Sequence, residues 1–73
     1  MTTKATKILQ ISLAAARVNA ELTQDDVCEK LHVSKQTVVN WEKGKSTPNF
    51  ATLNELARLY GIPLENIRLP MGV

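Results

Sequence analysis

The chain is poor in the residues on which metal and redox chemistry depend, with one cysteine, Cys28, and one histidine, His32. One thiol excludes an internal disulfide, and one Cys with one His falls short of the four ligands that a structural zinc takes. Neither metal nor cofactor is expected. Aromatic residues are as sparse, a single Trp, Tyr and Phe, and an RNA-binding surface that stacks unpaired bases would need more of them. Long apolar runs are missing as well. No stretch reaches membrane-spanning length, and the opening MTTKATKILQ lacks the apolar segment and cleavage site of a secretory signal. No membrane partner is expected, and the chain is expected to stay in the cytoplasm.

What is there suits one compact domain. The 73 residues lie near the lower limit at which an apolar core alone offsets chain entropy. The ordered part is expected over about residues 5–69, with Met1–Lys4 and Pro70–Val73 loose. The net charge of +2 says little, but its distribution is uneven. Glu21, Asp25, Asp26 and Glu29 face only Lys30 in one stretch, and Lys35, Lys43 and Lys45 face only Glu42 in the next. The second stretch is the better candidate for meeting phosphates.

The chain reads as short helices throughout. Ile8, Leu9, Leu13, Ala16 and Val18 follow helical spacing and predict a first helix over about Ala5–Asn19. Thr23 and Asp26 form a capping-box pattern that starts a second helix at Gln24 and runs it to Leu31. Ser34 is a preferred N-cap for a third helix reaching Lys43 and Gly44. Only His32–Val33–Ser34 separate these two helices, so they must cross steeply. Asn49 caps a fourth helix with Phe50, Leu53, Leu56, Ala57 and Tyr60 at core spacing, and Gly61 ends it. Pro63 suits the first turn of a last helix through Leu64 and Ile67. The expected fold is all-α, a bundle of five short helices without a sheet.

Residues 24–43, QDDVCEKLHVSKQTVVNWEK, are the most informative. Val27 and Leu31 lie one turn apart on the second helix, Val38 and Trp41 on the third, and Val33 fills the corner. Cys28 is small where two crossed helices approach most closely. The longer stretch LTQDDVCEKLHVSKQTVVNWEKGKSTPNFATLNELARLYGI resembles the phage and bacterial repressors of the lambda-repressor, Cro and xenobiotic-response-element type. The resemblance spans about Ile8–Leu69 and implies a single helix-turn-helix domain that regulates transcription, most simply as a repressor. It also implies an ion pair between Arg17 and Glu42, with two solvated surface charges as the alternative. His32 departs from the pattern, because that family most often has Gly there to admit a positive φ; His tolerates the left-handed conformation at some cost.

A helix-turn-helix places its third helix in the major groove. Lys35, Gln36 and Asn40 then become base readers, with Gln36 and Asn40 one turn apart, either amide suited to adenine, Lys35 to guanine, and Val39 to a thymine methyl. Gln24, Thr37, Lys43, Lys45, Ser46 and Asn49 are candidates for phosphate contacts. The implied partner is duplex DNA in the bacterial nucleoid, at a two-fold operator bound by a homodimer. Leu64, Ile67, Leu69 and Met71 are candidates for the self-contact, with a core or tail role as the alternative. Asp25 and Glu29, one turn apart, stand where some lambda-type repressors meet RNA polymerase; dipole compensation is the plainer explanation. Two further readings stay open: a helix-turn-helix protein-interaction module or antitoxin-like partner, and an RNA binder. An enzyme is disfavoured, because Cys28 lacks an oriented base.

Overall fold

The computed structural model describes residues 10–69. Four α-helices carry the fold: α1 Leu13–Asn19, α2 Gln24–Leu31, α3 Lys35–Lys43 and α4 Phe50–Tyr60. Two short strands, β1 Ile11–Ser12 and β2 Ile67–Arg68, pair in parallel, with Ile11 opposite Ile67 and Ser12 opposite Arg68.

Local capping accounts for the helix limits. Thr23 accepts from the Asp26 N–H at 3.0 Å while the Asp26 carboxylate accepts from the Thr23 N–H at 2.8 Å. The Thr23 N–H, and after it the Thr23 hydroxyl, hold the Asp26 carboxyl below its usual range. Ser34 caps α3 through the Thr37 N–H and Asn49 caps α4 through the Thr52 N–H. Gly44 and Gly61 close α3 and α4 in the left-handed region, where a side chain would be strained. His32 closes α2 in the same conformation, φ 57° and ψ 47°. Such a residue costs roughly 1–2 kcal/mol when it is not glycine, and Glu21, at φ 62°, shares the condition.

The core is one cluster to which every helix contributes: Leu13 and Ala16, Val27, Val38 and Trp41, then Leu56, Ala57 and Tyr60, with Ile67 from β2. Each large apolar side chain buried there contributes about 1.5–3 kcal/mol. Cys28, Leu31 and Val33 pack at its edge, where α2 and α3 meet.

The all-α expectation holds in outline, and the ends of the domain correct its count of five helices and its lack of a sheet. Ile11–Ser12 are extended, and α1 starts only at Leu13 because the Ser12 hydroxyl caps it through the Ala15 N–H at 3.1 Å; the expected helical residues 5–9 and the expected loose ends lie outside the described residues. The expected fifth helix is a single 3-10 turn, Leu64–Asn66, after an extended Pro63. Its continuation, Ile67, turns into β2 because pairing with Ile11 satisfies its backbone and buries its side chain. Phe50 and Val18, both read at core spacing, are 69% and 62% exposed. Phe50 sits in the first turn of α4, beyond the reach of the core, and Val18 lies on the outer side of α1.

Candidate nucleic-acid interface

α3 is fastened by its inner face. Val38 and Trp41 enter the core, and Glu42, one residue on, receives three bonds. Arg17 Nε donates to Glu42 Oε2 at 2.7 Å, a second guanidinium N–H donates to Oε1 at 3.3 Å, and Gln24 Nε2 donates to Oε1 at 3.0 Å. Arg17 also donates to the Leu22 carbonyl at 3.0 Å. The side chains of Arg17 and Glu42 are 15% and 8% exposed, so this is a partly buried network that ties α1, α2 and α3 together. The hydrogen bond to Glu42 raises the Arg17 pKa further and outweighs the opposing effect of burial, with a smaller contribution from attraction by the same carboxylate. Tyr60, buried on the same side, is pushed up to about 12, chiefly by burial and then by the Glu42 charge.

The outer face is open. Lys35 and Gln36 are exposed, Val39 and Asn40 half-buried. Gln36 Nε2 donates to Asn40 Oδ1 at 3.0 Å, so the two amides one turn apart stand as a joined pair. Lys35 Nζ lies 3.5 Å from Asp25 Oδ1, with both side chains largely exposed, a contact worth little in water. It brings together two residues read for separate roles, a base reader and an acidic residue of α2. Glu29, the other acidic candidate, is also exposed.

The phosphate candidates fall into two groups. Lys43, Lys45, Ser46 and Asn49 are all exposed at and beyond the end of α3. The left-handed Gly44 lets the Lys45 N–H donate back to the Asn40 carbonyl at 2.9 Å, which fixes where Lys45 leaves the helix. Asn49 spends its Oδ1 on capping α4. At the other end, Gln24 lends one amide N–H to Glu42, and the hydroxyls of Thr37 and Ser34 lie 2.9 Å apart. The Gln24–Glu42 and Gln36–Asn40 bonds were not foreseen; the second follows a four-residue spacing that was visible in the sequence.

Of the two roles open to Leu64, Ile67 and Leu69, Ile67 takes the core one at 7% exposure, and Leu64 and Leu69 pack half-buried against it. Met71 lies outside the described residues. A shallow groove of about 630 Å³ between the end of α2 and α4 is lined by Glu29, Lys30, Leu31, His32, Glu55, Arg58 and Leu59, and no base-reading candidate belongs to it. Among the described residues no group of three or more His, Cys, Asp or Glu side chains is placed to hold a metal, and no helix is long and apolar enough to cross a membrane.

Comparison with known proteins supports the helix-turn-helix reading of the chain. The model of a family described as helix-turn-helix matches residues 13–67. An uncharacterized HTH-type transcriptional regulator of Methanocaldococcus jannaschii is 41% identical over 46 residues, which cover 63% of this chain and 70% of that protein. The cryptic phage CTXphi transcriptional repressor RstR of Vibrio cholerae is 35% identical over 51 residues, 70% of this chain and 46% of the repressor. The HTH-type transcriptional activator BcrR of Enterococcus faecalis is 29% identical over 55 residues, 75% of this chain and 27% of the activator. The chain thus spans less than half the length of the last two. No solved structure matches it significantly.

Proposed function

The chain belongs to the helix-turn-helix family, and we propose that it is a sequence-specific duplex-DNA-binding regulator that reads the major groove with α3 and represses transcription. The observation that carries this reading is the division of α3. Its inner face is locked by Val38, Trp41 and the Arg17–Glu42–Gln24 network, so the helix presents Lys35, Gln36, Val39 and Asn40 on a rigid support. Preorganised donors and acceptors of this kind suit base edges. The exposed Lys43, Lys45, Ser46 and Asn49, with Gln24 at the start of α2, supply phosphate contacts that set register and make affinity fall with salt.

Two copies on half-sites about one helical turn apart complete the reading, since one such module offers a small interface. Repression by occupancy needs no further residues. It is supported by the likeness to the phage repressor, and the site of action is the nucleoid. A polymerase contact through Asp25 and Glu29 is the second reading, favoured by the exposure of both on α2; reversing both charges should then abolish activation and spare DNA binding.

Selection of bound sequences from a random duplex pool, followed by titration of wild type and Gln36→Ala at two salt concentrations, tests the main reading. An enriched two-fold site whose discrimination is weakened in the variant is expected. Weak binding indifferent to sequence and to Gln36 would overturn it and point to a protein partner.

A further inference from the structure

The bond from Gln36 Nε2 to Asn40 Oδ1 changes what each amide has left to offer. A side-chain amide carries two N–H donors on nitrogen and two lone pairs on oxygen. Gln36 gives up one N–H and keeps the other beside its oxygen, a donor next to an acceptor. That pair matches N7 and the N6 amino group of adenine. Asn40 has its oxygen turned to Gln36 and keeps both N–H groups, so it meets acceptors, and the base edge with two adjacent acceptors is guanine, through O6 and N7.

We propose that Gln36 and Asn40 form one reading unit with divided labour, in which Gln36 selects adenine while Asn40 holds the Gln36 amide in place and selects a neighbouring guanine. This rests on the DNA-reading role proposed above. Gln36 is exposed, and a free side chain of its length gives up rotamer freedom when a base immobilises it. The bond to the half-buried Asn40 removes part of that freedom in advance. Asn40 is itself set at the end of α3, where its carbonyl accepts the Lys45 N–H. The neighbours leave the unit alone, since Lys35 lies against Asp25 and the Thr37 hydroxyl against Ser34.

The test uses the site enriched by wild type from the random duplex pool, resynthesised with each base pair at every position that discriminates. Affinities are measured for wild type, Gln36→Ala, Asn40→Ala and Asn40→Asp, with circular dichroism checking the fold of each. Wild type is expected to prefer adenine at one position and guanine at its neighbour, each by about fivefold or more. Gln36→Ala loses the adenine preference and keeps the guanine one. Asn40→Ala loses both, because the Gln36 amide is no longer held. Asn40→Asp retains an oxygen for Gln36 and has no outward donor, so it keeps the adenine preference and loses the guanine one; its extra charge weakens binding to all duplexes alike and cancels in the ratio. If Asn40→Ala lowers affinity for every duplex equally, or leaves the adenine preference intact, the coupling is overturned and DNA reading stands. If the pool yields no enriched site, the DNA-reading role falls and this inference falls with it.

Discussion

The inner and outer faces of α3 differ in exposure and in what their side chains bond to. On the inner face Val38, Trp41 and Glu42 are nearly sealed from water, and no buried side-chain polar atom among the described residues lacks a partner. On the outer face Lys35, Gln36 and Asn40 bond only to near neighbours or to an exposed carboxylate and keep most of their hydrogen-bonding capacity. The helical period of 3.6 thus separates two tasks within one element, anchoring and reading. Substitutions should segregate accordingly, changing stability from one side and discrimination from the other.

The strongest test of that division is Glu42→Ala. It strands the Arg17 guanidinium in a partly buried place and frees the Gln24 amide, and should cost about 3 kcal/mol of folding stability, at the lower end for a broken buried pair. A shift of the urea midpoint measures it, and a loss below about 1 kcal/mol would mean that water already screens the pair. Gln36→Ala is the converse. Stability should stay within about 0.5 kcal/mol of wild type, while discrimination between operator and mutated duplex falls by about 1–3 kcal/mol.

Alkaline pH probes the inner face without mutation. The Tyr60 phenol ionises near its ordinary value of 10 when unfolded and at about 12 when folded. The unfolded chain therefore gives up its proton first, and stability present below pH 10 is lost as pH rises through 12, by about 2.7 kcal/mol for the full shift and less to the extent that water screens the phenol. Tyr60→Phe should remove this slope from a series of denaturation curves. Smallest is Thr23→Ala, which removes the cap that starts α2 and should lower stability by about 1 kcal/mol, with DNA discrimination unchanged. Altered base preference in that variant would break the division between faces.

Legibility in the sequence followed the range of the signal. The limits of α2, α3 and α4 rest on caps and terminal glycines within a few residues of each other, and Val27, Val38 and Trp41 follow from spacing alone. Arg17 and Glu42 came from resemblance, because nothing within either helix points to the other. The β1–β2 pairing was hidden for the same reason: two-residue strands carry no periodicity, and Ile11 finds Ile67 across nearly the whole described chain. Phe50 misled because period assigns a stripe but does not say where along it the packing partner ends. The outer face was legible as a set of residue types, whereas its amide orientation was not, since that is decided by which side chains bond to each other.

The short parallel pairing has a consequence best expressed in rates. Joining Ile11 to Ile67 closes a loop containing almost the entire domain, and the entropy of that closure is met by only a few backbone bonds and the burial of Ile67. The packing of α2 on α3 spans a much shorter stretch and is expected to form earlier. The pairing therefore joins on the native side of the folding barrier, so weakening it should speed unfolding and leave the folding rate almost unchanged. What those four residues set is how long the folded state lasts once reached.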